Sequence, residues 1–355
     1  MRMLYIYTGF LAAALLTAPA LAQDRPAAPE AVITIAAVGD IMLGHRAEPY
    51  LVKEGPAYPF VSVLPVLREA DLVAGNLESP ISTRGTAVKN KTFTLRVGPI
   101  ALDSLLAAGI RVVTLANNHI LDFGPLALQD TLAGLSERSI MSTGAGMDLD
   151  DARAPALVKV KDRTIAFLSY SLTFPIEFYA SKRRPGTAPG YADFVRADIQ
   201  KVRSQADLVV VSFHWGAELM TAAKDYQVDL GHKAIDWGAD LVLGHHPHIL
   251  QELELYKGRL IAYSLGNFVF GSESERTNTS MILLCTFKEK GLVRVEVVPL
   301  DVNNYRVAYQ PKVLTGKKAA EVLEGINESS RRFGTVLDLV ADRGRLRLTA
   351  EAPHN

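Results

Sequence analysis

Two stretches built alike, DLVVVSFHWGAE (207–218) and DLVLGHHPH (240–248), decide the fold. Each begins with an aliphatic, β-branched run of the kind found in buried strands and ends in a short polar cluster that contains histidine. Ligands of α/β sheets bind outside the carboxyl ends of the strands, where both clusters would lie. The pattern therefore predicts a largely parallel α/β core with a binding site along one sheet edge.

The same pattern of an apolar run followed by a polar cluster occurs four more times along the chain. The four stretches are ITIAAVGDIMLGH (33–45), DLVAGNLESP (71–80), RVVTLANNHILDFG (111–124) and RLIAYSLGNF (259–268). Carboxylate, amide and imidazole side chains delivered to one edge by strand after strand are hard to explain as packing. Together they predict a metal centre.

Amphipathic stretches of helical length alternate with these strands, and several of them end at a glycine. The predicted helices are 101–109, 125–138, 192–205 and 226–238. Three strand-like stretches close the core with short turns between them, which favours antiparallel pairing there: 259–270, 279–290 and 292–302. We therefore expect a mixed α/β arrangement with two sheets.

The chain is predicted to divide into four parts. These are a signal peptide (1–22), a tether rich in proline and alanine (23–31), the main domain (32–305) and a C-terminal helical appendage (306–355). Arg2 and the short apolar run after it fit a signal peptide, and Ala20-Leu21-Ala22 fits its cleavage site. An uncleaved N-terminal anchor is the alternative, and both predict an exported protein, most simply in a bacterial periplasm.

Composition excludes several classes of protein. The 355-residue chain has 38 Lys+Arg and 38 Asp+Glu, so bulk charge predicts no nucleic-acid binding. Cys285 is the single cysteine and lies in an apolar run, which predicts a buried, inert thiol and excludes an intramolecular disulfide. The sequence has no GxSxG, P-loop or dinucleotide-binding motif.

Two long segments resist assignment to regular structure, TRGTAVKNKTFTLRVGP (83–99) and SLTFPIEFYASKRRPGTAPGY (171–191). Both carry basic and aromatic residues, and both come directly after a polar cluster at a strand end. We interpret them as rims over the site, with ordinary solvated loops as the alternative.

Each ligand candidate taken alone has a simpler explanation. Asp40 could cap a helix or form a turn, and His214 could be a hydrogen-bonded core histidine. The pair His246 and His248 is more specific, because the two imidazoles flank Pro247 and can converge on one point. The recurrence of such residues at strand ends makes coincidence a poor explanation.

The types of ligand indicate the metal. Several imidazoles with carboxylates favour Mn, Fe or Zn over Mg or Ca, which prefer oxygen ligands alone. The candidates also outnumber the ligands of one tetrahedral ion, so we expect two divalent metal ions, a pair that can clamp both the attacking and the leaving oxygen of a displacement.

A succession of motifs resembles the capsule-synthesis protein CapA family, which is linked to poly-γ-glutamate capsules, from about residue 33 to 302. The motifs are GDIMLG, DLVAGNLESPIS, TLANNHILDFG, GAGMDLDDARAP, VSFHWGAE, DLVLGHHPHILQ and YSLGNFVF. The resemblance implies a calcineurin-like metallophosphoesterase fold, a four-layer αββα sandwich with two mixed sheets and a di-metal site. Its implied metal ligands are Asp40, Glu78, Asn118, His119, His214, His246 and His248.

Two departures from the wider metallophosphoesterase pattern affect the expected chemistry. The first motif there reads D-x-H, but Met42 replaces the histidine here, and the second motif offers Asn76 and Glu78 instead of an aspartate. CapA-type chains share both changes, so the family assignment stays intact. The two changes do argue against the standard phosphatase mechanism. His45 lies where such chains more often have arginine, so we expect it on the substrate side.

The resemblance implies an exported protein of capsule or surface-polymer metabolism with a hydrolase-type site that acts on a phosphoester or an amide bond. We expect catalytic roles for Asp122, which would orient His119, and for His245. Substrate-binding residues are expected to be Asn76, His45, Lys91, Arg96, Glu218 and Asn267. The expected partners are an anionic polymer or phosphoester substrate and membrane-bound polymer synthase subunits, with no nucleic acid. The alternatives are a non-enzymatic scaffold that binds or exports an anionic polymer beside such a synthase, and a general metal-dependent phosphodiesterase.

Overall fold

The first of two large sheets is organised around a central strand, β1 (Val32–Met42), in a computed structural model that describes residues 32–348. Within those residues this sheet has ten strands. Besides β1 they are β2 (Leu72–Leu77), β3 (Ile110–Thr114), β4 (Met141–Thr143), β13 (Asn267–Phe270), β14 (Thr279–Lys288), β15 (Gly291–Asp301), β16 (Lys312–Val313), β17 (Leu337–Val340) and β18 (Arg343–Leu346). Their order is β17-β18-β15-β14-β1-β2-β3-β4, with β13 also paired to β1 and β16 to β15. Pairing is parallel from β1 to β4 and antiparallel from β1 through β14 to β17.

The second sheet has a parallel centre and antiparallel edges. Its described strands, in spatial order, are β11 (Leu253–Tyr256), β12 (Arg259–Ala262), β10 (Leu241–His245), β9 (Leu208–His214), β7 (Arg163–Ser171) and β6 (Ala156–Val160). A separate small pair joins β5 (Ala145–Gly146) to β8 (Gly186–Thr187). Because β7, β9, β10 and β12 run parallel, their carboxyl ends meet at one edge.

Nine α-helices lie in the described residues, and most of them pack on the outer faces of the two sheets. They are α1 (Glu48–Glu54), α2 (Leu64–Leu67), α3 (Ile100–Ala107), α4 (Gly124–Glu137), α5 (Leu149–Arg153), α6 (Ala192–Val202), α7 (Asp225–Asp236), α8 (Asn304–Val307) and α9 (Gly316–Ser330). Short 3₁₀ turns occur at Tyr58–Phe60, Ile176–Phe178 and Arg331–Phe333. The four helices predicted from the sequence are confirmed as α3, α4, α6 and α7, with ends that differ by at most three residues.

The alternation of side chains along β1 shows how the layers pack. Ile33 and Ile35 join the apolar core between the two sheets, whereas Ala36 and Val38 join a second core with residues of α3 and α4. A third core lies between the second sheet and the helices α6 and α7, with Phe213 and Trp215 at its centre. The predicted four-layer αββα sandwich with two mixed sheets is thereby confirmed.

One predicted strand arrangement is wrong. The stretch 259–270 was expected to pair antiparallel with its neighbours, but it forms two strands in different sheets, each with a parallel partner. Strand β12 pairs with β10, and β13 pairs with β1 beside Asp40. Strand β12 also pairs antiparallel with β11, and of the three stretches only the second and third pair antiparallel with each other, as β14 and β15. The chain changes sheets at Tyr263–Gly266, where Gly266 has a φ of 72° that favours glycine.

The predicted C-terminal appendage contains the expected amphipathic helix, α9, and also β-structure. Leu323 and Ile326 of α9 pack into the core between the sheets, and β18 pairs with β15 of the first sheet. The predicted signal peptide and tether lie outside the described residues. Among the described residues, no helix is long and apolar enough to cross a membrane.

Candidate metal centre

Neighbouring strands deliver two rows of polar side chains to facing edges of the sheets. In the first sheet, Asp40 of β1 is in register with Asn76 of β2 and with Asn267 of β13. In the second sheet, His214 ends β9 directly beside His245, which ends β10. The strand-end pattern in the sequence thus becomes one row rich in oxygen atoms and one row of imidazoles.

Two glycines, Gly39 and Gly244, allow both rows to form, because another stretch of backbone passes too close to each of them to leave space for a side chain. A Cβ atom on Gly39 would lie 1.9 Å from the carbonyl oxygen of Gly266, and one on Gly244 would lie 1.9 Å from that of Tyr263. The backbone N–H of Asp40 donates to the same Gly266 oxygen at 2.9 Å. The site therefore depends on where the chain crosses between the sheets, after β12.

Three groups of ligand atoms lie close enough to hold metal ions. Within each group the ligand atoms are within 4.8 Å of one another: Glu78, His214 and His246; Asp40, Glu78 and His248; Glu218, His246 and His248. Glu78, His246 and His248 each belong to two groups. We call these six residues the ligand cluster; shared members are expected where two ions lie close together.

Two buried polar atoms in the ligand cluster have no hydrogen-bond partner, Glu78 Oε1 and His246 Nδ1. Glu78 Oε1 is 3.5 Å from His214 Nε2 and 3.8 Å from His248 Nε2. A buried polar atom without a partner costs about 1–3 kcal/mol, so such atoms are rare unless something else satisfies them. A divalent cation fits this donor set, because it accepts lone pairs from carboxylate and neutral imidazole alike.

The imidazoles of His214 and His246 are held in the neutral form that ligates metals. Burial lowers the pKa of His246 to about 3, with the charge of His248 adding to the effect. Burial likewise lowers the pKa of His214 well below its usual value, and the neighbouring His246 lowers it further. Neither nitrogen base must therefore lose a proton before it binds a metal near neutral pH.

The two buried carboxylates require positive charge beside them. Burial raises the pKa of Glu78 well above its usual value, and repulsion from Asp40 adds to this. Burial would also raise the pKa of Asp40, but hydrogen bonds from His245 and His248 hold it well below its usual value. Burial opposes charge on His248 as well, yet Glu78 and Asp40 raise its pKa to about 10. A divalent cation would offset the same negative charge.

The loop that carries the histidine pair has an unusual backbone. His246 has a φ of 94° and His248 a φ of 60°, a region in which side chains other than glycine are strained by about 1–3 kcal/mol. The His246 ring lies 4.8 Å from the His214 ring and 5.9 Å from the His248 ring, measured between centroids. The strain thus accompanies the convergence of His246 and His248 that the spacing around Pro247 predicted, with His214 as a third imidazole beside them.

Asn76 was predicted to bind substrate, but it is buried beneath the ligand cluster. Its Nδ2 donates to Asp40 Oδ1 at 2.8 Å and lies 3.4 Å from both Glu78 Oε2 and His214 Nδ1. Asn76 therefore spaces a carboxylate of the first sheet from an imidazole of the second. Two cavities reach the cluster, one beside His248 and one beside His246, and Asn76 lines neither of them.

Asn117 is a site residue that the sequence prediction missed. Its Nδ2 donates to Asn76 Oδ1 at 3.1 Å and to the Leu77 carbonyl at 2.8 Å, and its Oδ1 accepts the N–H groups of His119 and Ile120. Asn side chains commonly accept backbone N–H groups two and three residues ahead, so the Asn-Asn doublet in ANNHIL was the available signal.

His119 and Asp122 form the predicted pair, with His119 Nδ1 2.6 Å from Asp122 Oδ2. Lys91, predicted to bind substrate, instead forms an ion pair with Asp122 and donates to the Asn118 carbonyl. The predicted ligand His119 lies outside the three ligand groups, at the wall of a cavity. The predicted ligand Asn118 contacts the cluster directly, since its Oδ1 is 2.8 Å from His214 Nε2.

His245, predicted to be catalytic, lies behind Asp40. It is buried, with Nδ1 3.0 Å from Asp40 Oδ1, and it lines neither cavity. The predicted Asn267 contacts His248, whose Nδ1 lies 2.9 Å from Asn267 Oδ1. Both residues orient ligand candidates, as partners of metal ligands do.

The remaining predicted residues separate into two at the cluster and one away from it. Glu218 and His45 line a cavity that reaches His248, and Glu218 is itself a member of the ligand cluster. Arg96 does not join them, because its guanidinium stacks 4.0 Å from the Phe123 ring centroid and donates to the Arg84 carbonyl. An aromatic ring and a backbone carbonyl nearby hold that side chain, which the sequence alone could not indicate.

Residues 34–272 match the family described as "Bacterial capsule synthesis protein PGA_cap". The chain is 35% identical to the "PGA biosynthesis protein CapA" of Bacillus subtilis, over 77% of this chain and 72% of that protein. It is 34% identical to a "probable polyglutamine synthesis accessory protein" of Mycobacterium tuberculosis, over 78% of this chain and 77% of the relative. Among solved structures, the NAD nucleotidase of Haemophilus influenzae is similar at a TM-score of 0.49 and 13% identity, over 84% of this chain and 63% of that one.

Proposed function

Because the chain belongs to the bacterial capsule synthesis protein PGA_cap family, we propose that it serves the synthesis or processing of a poly-γ-glutamate-type surface polymer. In this proposal the ligand cluster holds two divalent metal ions, Mn, Fe or Zn, and forms a hydrolase-type centre. The observation that carries the proposal is the pair of buried, unpartnered atoms, Glu78 Oε1 and His246 Nδ1, whose residues belong to the same ligand group.

The residues divide between two metal positions that share Glu78. Glu78, His214 and His246 would hold one ion, with Asn118 Oδ1 beside them, and Asp40, Glu78 and His248 would hold the other. Glu218 would close the second position from the cavity side. When bound, such ions supply Lewis-acid stabilisation of the charge that develops on a hydrolysed phosphoester or amide.

The chain's own groups prepare the site for that chemistry. Asp122 occupies His119 Nδ1, which leaves Nε2 as the nitrogen that can exchange a proton with a bound substrate in the cavity. Burial lowers the pKa of His119 despite Asp122, so the ring is ready to accept a proton near neutral pH. Asn76 and His245 fix the position of Asp40 from behind.

The location and the partners belong to the same proposal. The N-terminal sequence supports export, and the accessory role named for the mycobacterial relative supports work beside polymer synthase subunits in the membrane. Export is tested by comparing the N-terminus of the mature protein with the predicted cleavage after Ala22.

The central test measures bound metal and hydrolysis in the same samples. Elemental analysis of the mature protein should find about two divalent ions per chain, and these ions should support hydrolysis of bis(4-nitrophenyl) phosphate or of a γ-linked glutamate oligomer. His246→Ala should lose both metal and turnover. His232→Gln is the matched control, because that histidine pairs with Glu254 outside the ligand cluster and should retain both.

Each outcome separates the alternatives. Two bound ions with no turnover of either substrate would favour a polymer-binding scaffold with a structural metal site. Turnover of the phosphodiester alone would favour a general metal-dependent phosphodiesterase. A chain that binds no metal after reconstitution, in wild type and variants alike, would refute the metal centre.

A further inference from the structure

The ligand cluster is open on two sides. One cavity of about 560 Å³ reaches His248 and His119, and another of about 640 Å³ reaches His246 and Asn118. Glu218 lines both cavities, and its carboxylate is within 4.8 Å of the ligand nitrogens of His246 and His248. The two cavities therefore border one another at Glu218, beside the other members of the cluster.

Each cavity has its own loop as a wall. The segment 83–99 contributes Phe93 and Leu95 to the first cavity, and the segment 171–191 contributes Thr173 and Phe174 to the second. Both phenylalanines are largely exposed, Phe93 at 70% and Phe174 at 80%. The two loops predicted as rims thus place an open aromatic ring on either side of the cluster, where an apolar part of a ligand could pack.

The cavities exceed what a small substrate needs. Pockets of about 300–1,000 Å³ enclose most of a drug-sized ligand, so either cavity alone could take a phosphomonoester or a single amino acid. The second cavity also has a cation, Lys224, which forms no ion pair with any residue in the described range 32–348. In the first cavity, Arg46 is already paired with Glu273 at 2.6 Å. The free positive charge thus lies on the side away from His248.

We infer that the two cavities form one groove that binds an internal segment of an extended anionic chain, with the ligand cluster at its middle. The inference rests on the proposed function for the chemical class of that chain. Phe93 and Phe174 contact its aliphatic stems on opposite sides of the cluster, and Lys224 meets a carboxylate on the Phe174 side. A ligand short enough to occupy one cavity makes only half of these contacts.

The test compares a γ-linked glutamate dimer with a chain of about ten residues, long enough to extend beyond one cavity on both sides. Affinity is measured by calorimetry on the metal-loaded protein, and metal content is determined in the same samples. The long chain should bind at least about tenfold more tightly than the dimer. Phe93→Ala and Phe174→Ala should each weaken the long chain about threefold to tenfold, and their effects should multiply in the double variant.

Two further variants make the result specific. Ile176→Ala is the matched control, because Ile176 is exposed on the same loop as Phe174 but lines neither cavity, and it should leave both affinities unchanged. Lys224→Met keeps the aliphatic stem and should reduce the salt dependence of binding by the long chain.

The groove is overturned if the dimer and the long chain bind equally, or if only one of the two phenylalanines affects the long chain. Absence of binding by both ligands to a protein that contains its metal ions would overturn the polymer groove and leave the metal centre standing. A protein that binds no metal ions and shows no difference between the dimer and the long chain would refute both the metal centre and the groove.

Discussion

The two sheets contribute different chemistry to the same point. The edge of the first sheet provides Asp40, Asn76 and Glu78, whereas the edge of the second provides His214, followed by the loop with His246 and His248. The first edge concentrates negative charge, so the pKa of Glu78 rises through burial and repulsion; the second buries neutral rings, so the pKa of His214 falls. Two of the three ligand groups combine carboxylates of the first edge with imidazoles of the second, so the centre depends on how the two sheets pack.

The largest loss of metal affinity should come from changing Glu78, the carboxylate shared by the two metal positions. Glu78→Gln keeps the size of the side chain but removes its charge, and we expect divalent metal affinity to fall about a thousandfold, because each ligand of a divalent ion contributes several kcal/mol. Calorimetry with Mn²⁺ and Zn²⁺ measures this. Glu273→Gln makes the same change at the cavity wall, outside the ligand cluster, and should change affinity little.

A smaller loss of metal affinity should follow when Asn76, the spacer between the two sheet edges, is replaced. Asn76→Leu deletes the donor to Asp40 and the contact with His214, and we expect metal affinity to fall about 100-fold, the upper range for residues that orient ligands. Metal titration followed by thermal unfolding separates this loss from misfolding. Unchanged affinity in a folded variant would mean that Asp40 and His214 hold their positions without Asn76.

The imidazole supplied by the first sheet offers a narrower test. His119 follows β3, and Asp122 holds its Nδ1. Asp122→Asn should lower turnover by about tenfold, because the amide fixes the tautomer of His119 less well than a carboxylate. The effect of His119→Asn combined with Asp122→Asn should be far from additive, as for two residues that act as a unit. Additive losses would separate their roles.

The sequence predicted what repeats along the chain. Six apolar runs with polar ends indicated the layered α/β fold and brought Asp40, Glu78 and His214 to one place, because strand ends of parallel sheets meet. The spacing around Pro247 predicted that His246 and His248 converge, and the three-residue spacing from His119 to Asp122 predicted their contact.

What the sequence could not predict depends on contacts between distant segments. Lys91 and Arg96 have the charge of substrate-binding residues, yet one pairs with Asp122 and the other stacks on Phe123. The change of sheet between β12 and β13 also escaped prediction, since a continuous β-like stretch does not reveal that its two ends have different partners. Local pattern fixes which residues reach the edge, and tertiary contacts decide which of them face the cavity.

The smallest effect on the centre should come from the core that holds the two edges together. Leu283 and Leu284 are adjacent on β14 and point to opposite faces, Leu283 into the core between the sheets and Leu284 toward the helices. Either change to alanine should lower the free energy of unfolding by about 2–5 kcal/mol, measured by denaturant titration. Only Leu283→Ala should also weaken metal binding, by about threefold, because only it loosens the packing that fixes one ligand row against the other. Equal affinities in the two variants would mean that the loop after β10 and the backbone crossing at Gly39 position the ligands without help from the inter-sheet core.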